Sequence, residues 1–519
     1  MFTRFFASAA ALAFSAGMAS ADYSITILHT NDFHDRFEPI SRFNSGCKEE
    51  DNLEGKCFGG AARMVTAISD AKARHDNWLL LDAGDQFQGT LFFQYYKGDV
   101  QAEMMNKLGF DAMAVGNHEF NNGPEGLKRF VDQVGFPVLM SNADISGSNA
   151  LNGLIEKSVV IEKAGEKIGI VGVTPKNNDE LSSPGKNIIF TDPSPAIQAE
   201  VDKLTADGVN KIIVLSHSGF PTDLVIAQNT TGVDLIVGGH SNTLLSNTDE
   251  KAAGSYPEMM NGVPIVQAFA YGKYLGEVVL TFDDDGNIVS AKGDPIILDA
   301  SVAEDAATKA RVAELAAPLD EIRNRVVAEA AAAIEGDRSV CRVEECPMGN
   351  LVADAMLDRV KDLGIDVAFA NSGGIRASMD AGEVTMGEVM TVLPFQNTLS
   401  TFSASGQTLI DALENGVSQV EEVAGRFPQV AGMSFTWDSS AEPGSRIVEV
   451  KVGGEPIDPA ATYGVVTNNY VRNGGDGYGM FATAEDAYDF GPDLADVLAE
   501  FMAAGGPANP QVEGRIMKK

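Results

Sequence analysis

Six histidines occur in the 519 residues, and four of them stand where an apolar, β-type run ends in polar residues. Residues 24–30 lead into Asn31-Asp32-Phe33-His34, and Lys211-Ile212-Ile213-Val214-Leu215 leads into Ser216-His217. The run 233–237 leads into Gly238-Gly239-His240-Ser241-Asn242, and 111–115 leads into Gly116-Asn117-His118-Glu119. A fifth run, Trp78-Leu79-Leu80-Leu81, leads into Asp82-Ala83-Gly84-Asp85-Gln86 without a histidine. Side chains of Asp, His and Asn together suit borderline-hard divalent ions such as zinc or manganese, and a shared carboxylate can hold two of them about 3.5–4 Å apart. Such a pair polarises a phosphoryl oxygen and acidifies a bound water near neutral pH. Asp85 is the better bridge, because Ala83-Gly84 lets the backbone turn while Asp82 ends the run. Of the remaining histidines, His29 reads as a hydrogen-bonded core residue and His75 as helix surface.

The elements that would position these side chains alternate. Helical spacing over 61–75, 100–108 and 124–134 separates the strand-like runs, which argues for α/β layers with ligands gathered beyond the carboxyl ends of the strands. Residues 302–334 are rich in Ala, Glu and Arg and read as a long helix or helix pair with a break at Pro318. That stretch is expected to connect two domains, 22–300 and 336–519, through a helical connector over 301–335. Beyond it, 348–363 has helical spacing, 366–370 reads as a strand before Asn371-Ser372-Gly373-Gly374-Ile375-Arg376, and further strands are expected over 432–437, 446–452 and 463–467. The last precedes Asn473-Gly474-Gly475-Asp476-Gly477. An Arg after a tight turn can clasp a phosphate bidentately, and an Asp can accept from both hydroxyls of a ribose.

A chain of this length exceeds one ordinary core, so two or more domains are expected. Residues 1–21 read as a cleaved signal peptide: Arg4 supplies a positive start, 5–18 a small-residue-rich apolar stretch, and Ala19-Ser20-Ala21 the cleavage site. The mature chain would begin at Asp22, outside the cytoplasm, in the periplasm or secreted, with no membrane span or lipid anchor. The formal charge of −35 repels polyanions and excludes a nucleic acid polymer as partner, while a small anionic substrate remains accessible where metal ions or arginines reverse the field. The four cysteines fall as two local pairs, Cys47 with Cys57 and Cys341 with Cys346, and an exported chain favours disulfides between them.

The motifs Asn31-Asp32-Phe33-His34, Asp82-Ala83-Gly84-Asp85-Gln86, Gly116-Asn117-His118-Glu119 and Gly238-Gly239-His240-Ser241-Asn242 resemble, in that order, those of the 5′-nucleotidase family. Agreement extends over nearly all of residues 24–481. The resemblance implies an α/β fold: an N-terminal calcineurin-like metallophosphoesterase α/β sandwich and a C-terminal α/β nucleotide-binding domain, joined by a long helix that lets the second domain rotate. It implies that Asp32, His34 and Asn242 hold one divalent ion and Asn117, His217 and His240 the other, with Asp85 between them. His118 would then contact the phosphate and stabilise the transition state. In the second half, Arg342, Asn371, Gly373, Gly374 and Arg376 would contact the nucleotide, Phe395 and Tyr470 would sandwich the base, and Asp476 would hold the ribose. Vertebrate members have Phe where this chain has Tyr470. The Cys341–Cys346 loop would pin Arg342.

The expected activity is release of orthophosphate from nucleoside 5′-monophosphates such as AMP, with two divalent ions, zinc or manganese, as cofactors. A UDP-sugar or a 2′,3′-cyclic nucleotide is an alternative substrate, and a nucleotide-binding protein without turnover is the alternative from another class. One departure stands beside His118: the family has Asp three residues after this histidine, and this chain has Asn121. An Asp raises the imidazole pKa, whereas an amide orients the ring with less electrostatic help, so activity should fall off at lower pH than in Asp-containing relatives.

Overall fold

The computed structural model describes residues 22–519 apart from Phe43, Ser45, Gln396, Asp489 and Phe490. The signal-peptide reading of residues 1–21 lies outside the described residues.

The N-terminal half is two sheets packed face to face. In the first, the strands Ile288–Gly293, Tyr274–Phe282, Tyr23–Thr30, Trp78–Asp82, Ala112–Ala114 and Val138–Leu139 lie side by side in that order. In the second the order is Glu258–Met260, Val263–Val266, Leu235–Gly238, Ile212–Ser216, Glu166–Val173 and Ser158–Lys163. The period-2 alternation of strands decides which side chains meet. Ile25, Ile27, Leu79 and Leu81 of the first sheet pack on Ile213, Leu215, Leu235 and Val237 of the second. Their neighbours face outward under helices: Leu28 and Leu80 pack against Met64 and Ile68 of the helix Ala61–Arg74, and Val214 and Ile236 against Ile197 and Val201 of the helix Pro193–Ala206. The result is a four-layer α/β sandwich.

Strand direction then places the chemistry. Tyr23–Thr30, Trp78–Asp82 and Ala112–Ala114 run parallel, as do Glu166–Val173, Ile212–Ser216 and Leu235–Gly238. The register sets Thr30 beside Asp82 and Gly238 beside Ser216, so the polar tails that follow all leave from one edge of the two sheets.

In the C-terminal half a five-stranded sheet has the order Pro428–Ala431, Val367–Asn371, Thr462–Asn468, Leu399–Ser405 and Glu485–Tyr488. Helices Pro347–Arg359 and Leu494–Gly505 cover one face, where Ala368 and Val466 pack with Val352 and Leu498. The other face carries Phe369, Val465 and Phe402 against Leu409 and Leu413 of the helix Gly406–Gly416 and against Trp437. Val367–Asn371 and Thr462–Asn468 are parallel, which brings Asn371 and Asn468 to the same end.

The long connecting helix expected over 302–334 is only partly present. Asp305 caps the helix Ala306–Ala316 by accepting from Thr308 N at 2.7 Å. A 3₁₀ turn containing Pro318 follows, and then a short helix, Asp320–Arg323. From Val326 the expectation is overturned: Val326–Ala330 is a strand paired antiparallel with Gly382–Thr385. The adjacent valines fit a pleated edge better than a helix, and the partner strand that decides the matter lies some fifty residues downstream, outside any local reading. Both cysteine pairs are disulfide-bonded, Cys47 to Cys57 and Cys341 to Cys346, with Cα–Cα separations of 6.0 and 5.1 Å.

Candidate active site

Asp85 is the hub. Its carboxylate is buried, Oδ1 accepts from the His118 backbone N–H at 2.8 Å, and Oδ2 lies 3.0 Å from His217 Nε2 and 3.9 Å from both His34 Nε2 and His118 Nε2. Asp82, by contrast, is consumed by its own loop, accepting from Thr30 Oγ1, Gln86 Nε2 and Gly84 N. The approach requires Gly116: a Cβ there would sit 2.2 Å from Asp85 Oδ1.

The imidazoles are oriented by their second nitrogens. His217 Nδ1 donates to Ala83 O at 2.7 Å, and His34 Nδ1 donates to Gln88 O at 2.9 Å. Arg376 Nη2, which can only donate, lies 3.2 Å from His34 Nε2 and confirms that this nitrogen carries a lone pair. Both tautomers therefore turn Nε2 toward Asp85, as metal-binding histidines do when a carbonyl holds the other nitrogen. Asp32 accepts from His240 N and Asn31 Nδ2, and its Oδ1 is 3.9 Å from His34 Nε2. His240 Nδ1 and Asn117 Oδ1 are 2.8 Å apart. Asn242 Oδ1 is buried without a hydrogen-bond partner, and His217 Nε2 has the Asp85 carboxylate alone within reach.

Buried acceptors crowded on a carboxylate repel one another unless a cation lies among them, so this donor set fits divalent metal. Among the described residues two groups satisfy the distances for a shared ion: His34, Asp85 and His118, and Asp85, His217 and His240. The field is strong enough to show on protons. Burial opposes a charge on His217, yet Asp85 outweighs it and raises the imidazole pKa to about 10. The backbone is also held unusually: Asp32, His34, Asp85, His240 and Asn242 all have positive φ, between 49° and 69°. That conformation is costly for non-glycine residues and persists where surrounding bonds over-determine it.

Across a cavity of about 1050 Å³ the C-terminal half faces this cluster. Arg342, Arg376, Asn371, Gly373, Gly374 and Asp476 line it, together with Phe395 and Tyr470. Asn371 Nδ2 donates to Asp476 Oδ2 at 2.6 Å. Phe395 stacks on the His118 imidazole with centroids 5.7 Å apart and 29° between the ring planes, and the Arg376 guanidinium lies over the Phe395 ring, 5.6 Å from its centroid. Of the residues expected at the site, Asp32, His217 and Asn242 are buried and do not line the cavity; the others border this one space, the four disulfide cysteines excepted. Cys341–Cys346 closes the turn that carries Arg342, and that side chain is buried.

Sequence reasoning missed three contributors. Arg338 lines the cavity, and its Nη1 lies 3.4 Å from His240 O. Its spacing of four from Arg342 on one helical turn was the available signal. Burial lowers the pKa of both guanidiniums, and Arg376 adds to the effect. None of the three arginines has a carboxylate ion-pair partner among the described residues, an arrangement that favours an anion. Glu119 accepts from the backbone N–H of Asp85, Gln86, Phe87 and Gly116, which fixes the Asp85 loop to the His118 turn. Lys176 and Asn177 bring an N-terminal loop to the same cavity.

Known proteins match this architecture along its length. A family model for calcineurin-like phosphoesterases matches residues 25–243, and one for the 5′-nucleotidase C-terminal domain matches 326–483. A mouse 5′-nucleotidase is 39% identical over 528 residues, covering 96% of this chain and 91% of its own. The chain belongs to the 5′-nucleotidase family. A snake venom 5′-nucleotidase from Naja atra is 39% identical, covering 95% of this chain and 98% of its own. The crystal structure of a 5′-nucleotidase precursor from Thermus thermophilus superposes with a TM-score of 0.91 at 40% identity, covering 96% of this chain and 99% of that one.

Asn121 Oδ1 lies 2.7 Å from His118 Nδ1. Burial depresses His118 to a pKa of about 4, against the pull of Asp85. Asn121→Asp exchanges a dipole for a charge at that contact. It is expected to move the alkaline limb of the pH profile of kcat/KM upward by about one unit, since an opposite charge this close favours the imidazolium. A superimposable profile would separate Asn121 from the titration of His118.

Proposed function

We propose that the mature chain is an exported, periplasmic or secreted, two-metal phosphohydrolase that releases orthophosphate from nucleoside 5′-monophosphates such as AMP. The observation that carries this reading is the single cavity with a carboxylate–imidazole cluster on one wall and three guanidiniums beside Asn371 and Asp476 on the other. Among the described residues no helix is long and apolar enough to cross a membrane. We read the chain as two units, a metallophosphoesterase half and a substrate-binding half that begins at Val326, with the helices between 306 and 323 joining them.

Asp32, His34 and Asn242 would hold one ion, Asn117, His217 and His240 the other, and Asp85 both; the mixed nitrogen and oxygen set favours zinc, with manganese as second choice. When bound, two divalent ions supply Lewis acidity toward a phosphoryl oxygen and a water activated near neutral pH. The chain's own residues do the rest. Arg338, Arg342 and Arg376 hold and orient the anion, Asn371 and Asp476 fix the nucleoside, and Phe395 and Tyr470 offer ring faces to a base. Stacking of this kind is worth about 1–3 kcal/mol per base and tolerates different bases. His118, held through Nδ1, directs Nε2 at the phosphate, where charge develops.

Incubation of the purified protein with AMP, with and without chelator and then across added zinc and manganese, tests the reading. Phosphate release that stops with chelator and returns with metal is expected. No metal-dependent release from any nucleotide would overturn it.

A further inference from the structure

Tyr470 does more at this cavity than present a ring. It lies on the short helix Asn469–Arg472, against the loop that carries Asp476, and a Cβ on Gly475 would fall 2.5 Å from its ring. Its hydroxyl closes a two-point contact with one residue: it donates to Asp476 Oδ1 at 3.1 Å and accepts from the Asp476 backbone N–H at 3.2 Å. From the opposite side Asn371 Nδ2 donates to Asp476 Oδ2, and Asn371 is itself held by Asn468 Nδ2 at 2.8 Å. Asp476 needs that support, because it is buried with φ at +55° between two glycines.

A carboxylate offers about two acceptor positions on each oxygen. The Tyr470 hydroxyl uses one on Oδ1, and the Asn371 amide uses one on Oδ2. One position on each oxygen is left, in a side chain that borders the cavity. Two adjacent acceptors match two adjacent hydroxyls. A sugar with only one leaves a buried acceptor unpaired, and sites built around a substrate hydroxyl reject the analogue that lacks it.

We propose that the Tyr470 hydroxyl is a specificity-determining positioning group: by locking Asp476 it makes the site select a ribose 2′,3′-diol over a 2′-deoxyribose. The proposal rests on the reading of this cavity as a nucleoside monophosphate site. Tyr470→Phe isolates the hydroxyl, because the ring and its stacking face remain.

The experiment measures kcat/KM for AMP and dAMP, and calorimetric binding of adenosine and 2′-deoxyadenosine to the chelated protein, for the wild type and Y470F. Wild type is expected to prefer the ribose form in both assays. In Y470F the kcat/KM for AMP should fall about tenfold, the scale of a hydrogen bond to a charged group, mostly through KM. The value for dAMP should change far less, so the preference collapses. Equal losses on both sugars, or an unchanged preference, would overturn the proposal while leaving the enzyme reading intact. A wild type that hydrolyses no nucleotide would overturn that reading and this proposal with it.

Discussion

Asp85→Asn is expected to leave a folded protein that has lost its divalent ions and its phosphate release from AMP together. The asparagine keeps an oxygen where Asp85 Oδ1 accepts from His118 N–H, so the local backbone bond survives. At the other position an amide replaces the oxygen that lies 3.0 Å from His217 Nε2 and 3.9 Å from His34 Nε2 and His118 Nε2. It removes the one charge that all three imidazoles share. It also gives His217 Nε2 a donor, which offsets the buried-acceptor cost and favours folding. Loss of a residue that merely supports a ligand costs about 10- to 100-fold in metal affinity, and removal of a shared carboxylate should exceed that. Metal analysis of the dialysed variant and a thermal melt check the two halves of the expectation. Two retained ions per chain with near wild-type release would refute the central role of Asp85.

The strand tips were legible because the residues doing chemistry interrupt apolar runs: a strand buried on both faces reads as a continuous hydrophobic stretch, so Asp, His or Asn at its end stands out. Ile212–Ser216 before His217 and Leu235–Gly238 before His240 are of this kind. The gathering of those tips followed from parallel strand direction, which alternation of strands and helices implies. What was not legible depends on partners distant in sequence. Val326–Ala330 lies inside a stretch rich in Ala, Glu and Arg that reads as helix, and it becomes a strand because Gly382–Thr385 lies alongside. Glu119 looked like the last letter of a motif, and only the folded loop shows its carboxylate accepting from four amides. The Tyr470 hydroxyl is a similar case, since a turn with positive φ at Asp476 brings the two together. Backbone conformations that a single sequence does not announce thus carry much of the site's geometry.

The role of His118 separates two chemistries that the distances alone allow. Its ligand atom lies close enough to those of His34 and Asp85 for all three to share an ion. Its Nδ1, however, is taken by Asn121 Oδ1, and its ring face lies along Phe395 on the side of the cavity that the arginines border. A ring that donates from Nδ1 to Asn121 and from Nε2 to a phosphate oxygen must carry both protons. Burial opposes that charge, and Asp85 favours it. A phosphate-side donor acts where charge develops, so His118→Ala should lower kcat by about 10²–10³-fold, the usual cost of removing one such group. KM for AMP should move little, and metal content should stay at the wild-type value, because the carboxylate–imidazole set around Asp85 is otherwise intact. Single-turnover rates together with metal analysis of the same sample test this. Should the variant lose an ion along with its rate, His118 is a ligand, and its place on the phosphate side falls.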